Sequence, residues 1–167
     1  MTTVMVVEDS DIVREVMRLF LADIAGLYVI GEFCCAPTAI EGIRHDPPDV
    51  LLLDIQLHAG NGMDVLKMVS VEHPATKVIV VTNYADAVYR RHYTDAGAYG
   101  FYDKCRELNA LRCGLEKLAG QAAAPLVSRR TILVGSSECK HHPKSQVVMS
   151  PRAGAINDFI ETKKSHD

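Results

Sequence analysis

Five polar residues in this 167-residue chain sit where short apolar runs stop. Glu8 and Asp9 follow "VMVV" (4–7), Asp54 follows "VLLL" (50–53), Thr82 follows "VIVV" (78–81), and Lys104 comes after "AYGFYD" (98–103). A carboxylate at the end of an apolar run is costly unless a partner compensates its charge. If the fold brings Glu8, Asp9 and Asp54 together, each close pair repels by roughly 4 kcal/mol at an effective dielectric of about 20, and a cation is needed. A donor set made only of oxygen, with open positions, suits Mg2+, which keeps waters and shares itself with phosphate. Lys104 adds an ammonium group and Thr82 a hydroxyl. A carboxylate, a hard metal, an ammonium and a hydroxyl around one point make a phosphoryl-transfer site. In it Asp54 attacks in line while the positive charges neutralise phosphoryl oxygens.

Such a site needs a scaffold that gathers strand ends. The runs at 4–7, 27–33, 50–53, 78–81 and 98–102 are rich in Val, Ile and aromatic residues and read as five strands with both faces covered. Helical spacing links Ile12, Val13, Val16, Met17, Phe20, Leu21 and Ile24; it also links Val65, Leu66 and Val69, and Leu108, Leu111, Leu115 and Leu118. Two weaker helices fit at about 36–45 and 85–95. Turn-forming stretches precede the last three strands: "HDPPD" (45–49), "HPATK" (73–77) and "DAGA" (95–98). The alternation predicts an α/β fold, a doubly wound five-stranded parallel sheet with helices on both faces. Sites in such sheets lie beyond the carboxyl ends of the strands. Four of the five strand ends carry the polar residues named above, and the second, ending in "GEFCC", carries none.

The ordered set "VVEDS", "LLLDIQLHAGNG", "VVTNYAD" and "GFYDKCREL" resembles the receiver domain of two-component response regulators over about residues 3–119. The resemblance implies a flavodoxin-like sheet of order 2-1-3-4-5. It also implies transfer of a phosphoryl group to Asp54 from a histidine kinase or phosphotransfer protein, with the chain promoting its own phosphorylation and dephosphorylation. Asp9 and Asp54 would bind Mg2+ directly, Glu8 through water, and Gln56 through its backbone carbonyl. Thr82 and Lys104 would hold the acyl phosphate and move on its arrival, and Phe101 takes the place of the aromatic switch. Three residues depart from the family pattern. Cys105 stands where proline often follows the lysine in a cis bond, which for a non-proline residue costs about 3 kcal/mol. His58 stands where proline is frequent. Phe101 lacks the hydroxyl of the commoner Tyr, so it can switch by packing but not through that hydrogen bond.

Bulk properties set the wider frame. A composition 48% hydrophobic and 23% charged is ordinary for one globular domain. No apolar run approaches the ~20 residues of a membrane span, and the N-terminus lacks a basic stretch before an apolar one, so a cytoplasmic location is expected. Five cysteines (Cys34, Cys35, Cys105, Cys113 and Cys139) have no pairwise metal spacing and fit a reducing compartment. The net charge of -3 divides into -6 up to Gly120 (11 basic, 17 acidic residues) and +3 from 121 onward (7 basic, 4 acidic). An acidic main domain argues against a large nucleic-acid footprint.

These features divide the chain into a receiver domain at 1–120 and a basic tail at 121–167, expected to be largely disordered and without a recognisable output domain. Within the tail, Cys139, His141 and His142 form a candidate metal cluster without a second ligand pair. Residues 155–164 fit one short helix. Two readings of function remain: a stand-alone receiver whose fourth-helix, fifth-strand and fifth-helix face meets a protein partner or a second copy, and a transcription regulator with a reduced DNA-binding output region. A metal-dependent phosphohydrolase is a third reading, disfavoured because no further general base and no Asp-x-Asp pair is visible.

Overall fold

The computed structural model describes residues 1–121 and 133–134. The candidate metal cluster of Cys139, His141 and His142, and the helix expected at 155–164, lie outside the described residues. Five strands appear where continuous apolar runs predict them: β1 (Thr2–Val7), β2 (Leu27–Phe33), β3 (Val50–Leu53), β4 (Lys77–Thr82) and β5 (Gly100–Asp103). They alternate with α1 (Asp11–Ala22), α2 (Ala36–His45), α3 (Gly62–Glu72), α4 (Ala87–Asp95) and α5 (Leu108–Gln121). All strand pairs are parallel, and the first five strands take the expected order 2-1-3-4-5. A short sixth strand, β6 (Leu133–Val134), lies beyond β2 with Leu133 opposite Gly31 and Val134 opposite Glu32. A two-residue strand carries too little pattern to be seen in sequence.

Alternation along each strand divides the core in two. Val4 and Val6 of β1, Val50 and Leu52 of β3, and Ile79 and Val81 of β4 point to one face, where α1 and α5 cover them with Met17, Phe20, Leu21, Leu111 and Leu115. Met5, Val7, Leu51, Leu53, Val78 and Val80 point to the other, under Ile43 of α2, Leu66 of α3 and Tyr93 of α4. Fully burying a leucine such as Leu111 or Leu66 contributes about 1.5–3 kcal/mol, so this two-sided core fixes the sheet and with it the strand ends. Two details differ from the sequence reading. Ile12 is 56% exposed, because the buried stripe of α1 runs through Val13, Met17, Phe20 and Leu21 and leaves Ile12 at its edge. β5 begins at Gly100 rather than near residue 98, with Tyr99 60% exposed just before it.

Three helices, α1, α3 and α4, start where side chains satisfy their first amides. Ser10 Oγ accepts from Val13 N at 3.4 Å, Asn61 Oδ1 from Asp64 N at 2.9 Å, and Asp86 Oδ1 from Val88 N and Tyr89 N, each at 2.9 Å. Ser10 and Asn61 thereby set the first turns of α1 and α3, next to Asp9 and the loop after Asp54.

Candidate functional site

The polar strand ends meet at one rim of the sheet. Asp54 N donates to Val7 O at 2.9 Å, which ties the residue after β3 to the last residue of β1. Beyond that bond, carboxylate oxygens of Glu8, Asp9 and Asp54 lie within 4.8 Å of one another. Glu8 and Asp54 are buried and Asp9 is half-buried. Lys104 reaches into the cluster with its side chain only 1% exposed: Nζ is 2.6 Å from Asp54 Oδ2 and also donates to Glu8 Oε2. Asp54 Oδ1 accepts from Ile55 N at 2.7 Å, and Glu8 Oε1 from Ser10 N at 3.2 Å. The ammonium thus bridges two carboxylates from different strands.

Three carboxylates against one ammonium leave the cluster formally doubly negative. Buried excess charge of that size calls for a further cation. The donor set is entirely hard oxygen and keeps one half-open side at Asp9, which fits Mg2+ better than a softer metal. Asp9 also lines an open groove of about 800 Å3 bordered by Gln56, His58, Asn61, Tyr89 and His92, so the cluster is approached from solvent between the β3–α3 loop and α4.

Thr82 is fully buried as the last residue of β4, and its Oγ1 accepts from Tyr84 N at 3.2 Å. Gln56 is exposed and forms an antiparallel bridge with Asn61, closing the loop between β3 and α3. Phe101 is 6% exposed, its ring centroid 6.2 Å from that of Tyr93 and the Arg90 guanidinium carbon 4.9 Å above it. The described residues contain no cis peptide bond, and with Cys105 after it Lys104 still meets Asp54.

Several contributors escaped the sequence reading. Asp103 Oδ1 accepts from Cys105 N at 2.7 Å and Arg106 N at 3.2 Å, shaping the loop that carries Lys104. Asp103 N in turn donates to Glu107 Oε2 at 2.7 Å. An acid just before the lysine with Glu107 four residues on is a turn signal that could have been read. Gly62 begins α3 so close to the site that a Cβ there would sit 2.4 Å from the Asp54 carbonyl oxygen; any side chain would push the backbone of Asp54. Tyr93 is buried beside the rim. Burial first, then the Asp54 charge, push its phenol up to about 12.

A family description, "Response regulator receiver domain", matches residues 4–116. The chain belongs to the response regulator receiver domain family. This receiver domain is 29% identical over 143 residues to the "Response regulator GacA" of Pseudomonas aeruginosa, covering 84% of the chain and 67% of that relative. It is 33% identical over 104 residues to the GacA of Pseudomonas viridiflava (62% of the chain, 49% of the relative) and 29% over 104 to the "Response regulator UvrY" of Escherichia coli K12 (62% and 48%). The chain therefore spans about half the length of most of these curated relatives.

Solved structures agree on the fold. The signal receiver domain of NarL from Mycobacterium tuberculosis superposes with a TM-score of 0.65 at 24% identity, covering 71% of this chain and 96% of that one. A DNA-binding response regulator of the LuxR family from Staphylococcus aureus superposes at 0.66 and 22% identity, covering 71% and 99%. The expectation that nucleic acid is unlikely as a partner finds no support in these comparisons; the Staphylococcus aureus neighbour is itself described as DNA-binding. The acidic charge that motivated it belongs to the receiver part alone. None of the described helices is long and apolar enough to cross a membrane.

Proposed function

We propose that this receiver domain is a cytoplasmic phosphorylation switch that accepts a phosphoryl group on Asp54 from a phosphohistidine of a kinase or phosphotransfer protein. The observation that carries the reading is the Lys104 ammonium bridging Asp54 and Glu8 inside a cluster that keeps excess negative charge. An Asp54 carboxylate oxygen attacks phosphorus and a P–O bond forms. The P–N bond to the donor imidazole breaks, and the leaving nitrogen keeps the electron pair and takes a proton. Lys104 turns from the carboxylate to a phosphoryl oxygen, and the Thr82 hydroxyl donates to another. When bound by Asp9, Asp54 and the Gln56 carbonyl, with Glu8 acting through water, Mg2+ supplies the charge neutralisation that lets an anionic donor approach an anionic acceptor. Glu8, as the second partner of Lys104, holds the ammonium in place before the phosphoryl group arrives. Phe101, lacking a hydroxyl, follows Thr82 and Lys104 by repacking against Tyr93 and Arg90. The altered face around α4 and β5 then meets a protein partner or a second copy.

The test is labelling by a small phosphodonor with Mg2+. The wild-type protein should gain one alkali-labile phosphate and Asp54→Asn none; labelling that persists in the variant contradicts the assignment.

A DNA-linked output is the second reading. It is favoured by the net charge of +3 carried by residues 121–167, which suits a polyanionic partner where the acidic receiver part does not. Binding of DNA measured across salt concentrations, with and without residues 121–167, distinguishes it: no salt-dependent binding removes it.

A further inference from the structure

We propose that Arg90 of α4 is a positioning residue for Lys104, acting through Glu107 on the loop between β5 and α5. Arg90 makes three contacts at once. Its guanidinium lies over the Phe101 ring with Cζ 4.9 Å from the centroid, Nη1 donates to Phe101 O at 2.6 Å, and Nη2 donates to Glu107 Oε2 at 2.7 Å. That same carboxylate oxygen accepts from Asp103 N at 2.7 Å, and Asp103 Oδ1 accepts from the amides of Cys105 and Arg106. Lys104 is the residue enclosed by these bonds. Its own N donates to Thr82 O at 2.9 Å, and Glu107 N donates to Asp103 O at 3.0 Å.

One carboxylate oxygen therefore joins α4 to the backbone beside the lysine. Burial works against ionising Glu107, but the Arg90 hydrogen bond, the Asp103 amide and the Arg90 charge outweigh it and hold its carboxyl below the usual range, so the contact is between charges. A planar fork suits the geometry, because a lysine at position 90 could not stack on Phe101 and donate to both acceptors. Fixing a loop in its working geometry removes the ordering cost that a ligand would otherwise meet. By reciprocity, whatever Lys104 gains from a phosphoryl group tightens the seat of α4 on β5.

The inference rests on the phosphoacceptor reading, and its test separates the two. Beryllium trifluoride, a phosphoryl mimic, is titrated into the full chain at saturating Mg2+, and Mg2+ alone is titrated separately. Arg90→Ala should weaken beryllium trifluoride binding about fivefold or more, while Mg2+ affinity, set by the carboxylates just after β1 and β3, stays within about twofold. Glu107→Gln, which keeps an acceptor for Asp103 N but loses the charge, should weaken it less. In a Lys104→Met background Arg90→Ala should cause no further loss, because the path through the lysine is already gone. A variant that merely loosened the fold would lower both affinities and add to the Lys104 change. An equal loss in both backgrounds, or unchanged affinity in Arg90→Ala and Glu107→Gln, overturns the role of Arg90 and leaves the phosphoacceptor reading standing. Failure of the wild-type protein to bind the mimic overturns both.

Discussion

Lys104 Nζ sits 2.6 Å from Asp54 Oδ2 while also donating to Glu8, so a single buried ammonium spans carboxylates that come from two different strand ends. Neither carboxylate is compensated by the lysine alone, because Asp9 adds a third charge within 4.8 Å. The resting site is held in tension between an internal cation and the need for an external one.

Removing the internal cation should expose that tension. Breaking a buried ion pair by deleting one partner costs about 3–5 kcal/mol. Lys104→Met should therefore lower the melting temperature by several degrees in chelator. Millimolar Mg2+ should restore part of the loss, as followed by circular dichroism. A variant as stable as wild type in chelator would mean that Glu8 and Asp54 do not depend on the lysine.

Adding the external cation should stabilise the wild-type protein. A ligand that binds the folded state alone, at a hundred times its dissociation constant, contributes about 2.7 kcal/mol. Scanning calorimetry with Mg2+ and with chelator should show the shift, and Asp9→Asn should remove most of it. An equal shift in Asp9→Asn would place the ion elsewhere.

Gly62 offers a test of backbone position. The Cβ of Gly62→Ala would fall 2.4 Å from the Asp54 carbonyl oxygen, a main-chain atom that can give way only by moving the strand end. Overpacking of this kind costs about 1–3 kcal/mol. Urea unfolding should report that loss, and phosphodonor labelling of Asp54 should slow with it; an unaltered midpoint would show that the β3–α3 loop yields freely.

Tyr93 predicts an alkaline signature. Its folded value of about 12 stands above the ordinary 10, with burial first and the Asp54 charge second as causes. A raised folded value means that the unfolded chain loses its proton first as pH rises. The stability from the neutral phenol is complete below pH 10 and is lost between 10 and about 12. Denaturation midpoints should fall across that window, and Tyr93→Phe should flatten the fall. A slope of the same size in Tyr93→Phe would assign it to other groups.

How far the sequence reaches is clear from individual residues. Val50 to Leu53 announce a central strand because both faces are buried, and Asp54 is conspicuous because it breaks the run. Glu8, Asp9 and Lys104 are legible for the same reason: each is a charge placed where an apolar segment ends. Arg90 and Glu107 give no such sign. Their value lies in a contact between residues 17 positions apart, on two elements whose meeting depends on the sheet order. Ile12 was misjudged because an apolar stripe has width, and a residue at its margin can face solvent. Gly62 looks like any glycine in a loop until the carbonyl behind it is located.

The pairing of Leu133 and Val134 with Gly31 and Glu32 bears on how the molecule is handled. Uncovered margins of a sheet invite strands from neighbouring molecules. Cutting the chain after α5 would strip Gly31 and Glu32 of those neighbours, and a shortened protein made for convenience would be more prone to clumping than the 167-residue chain.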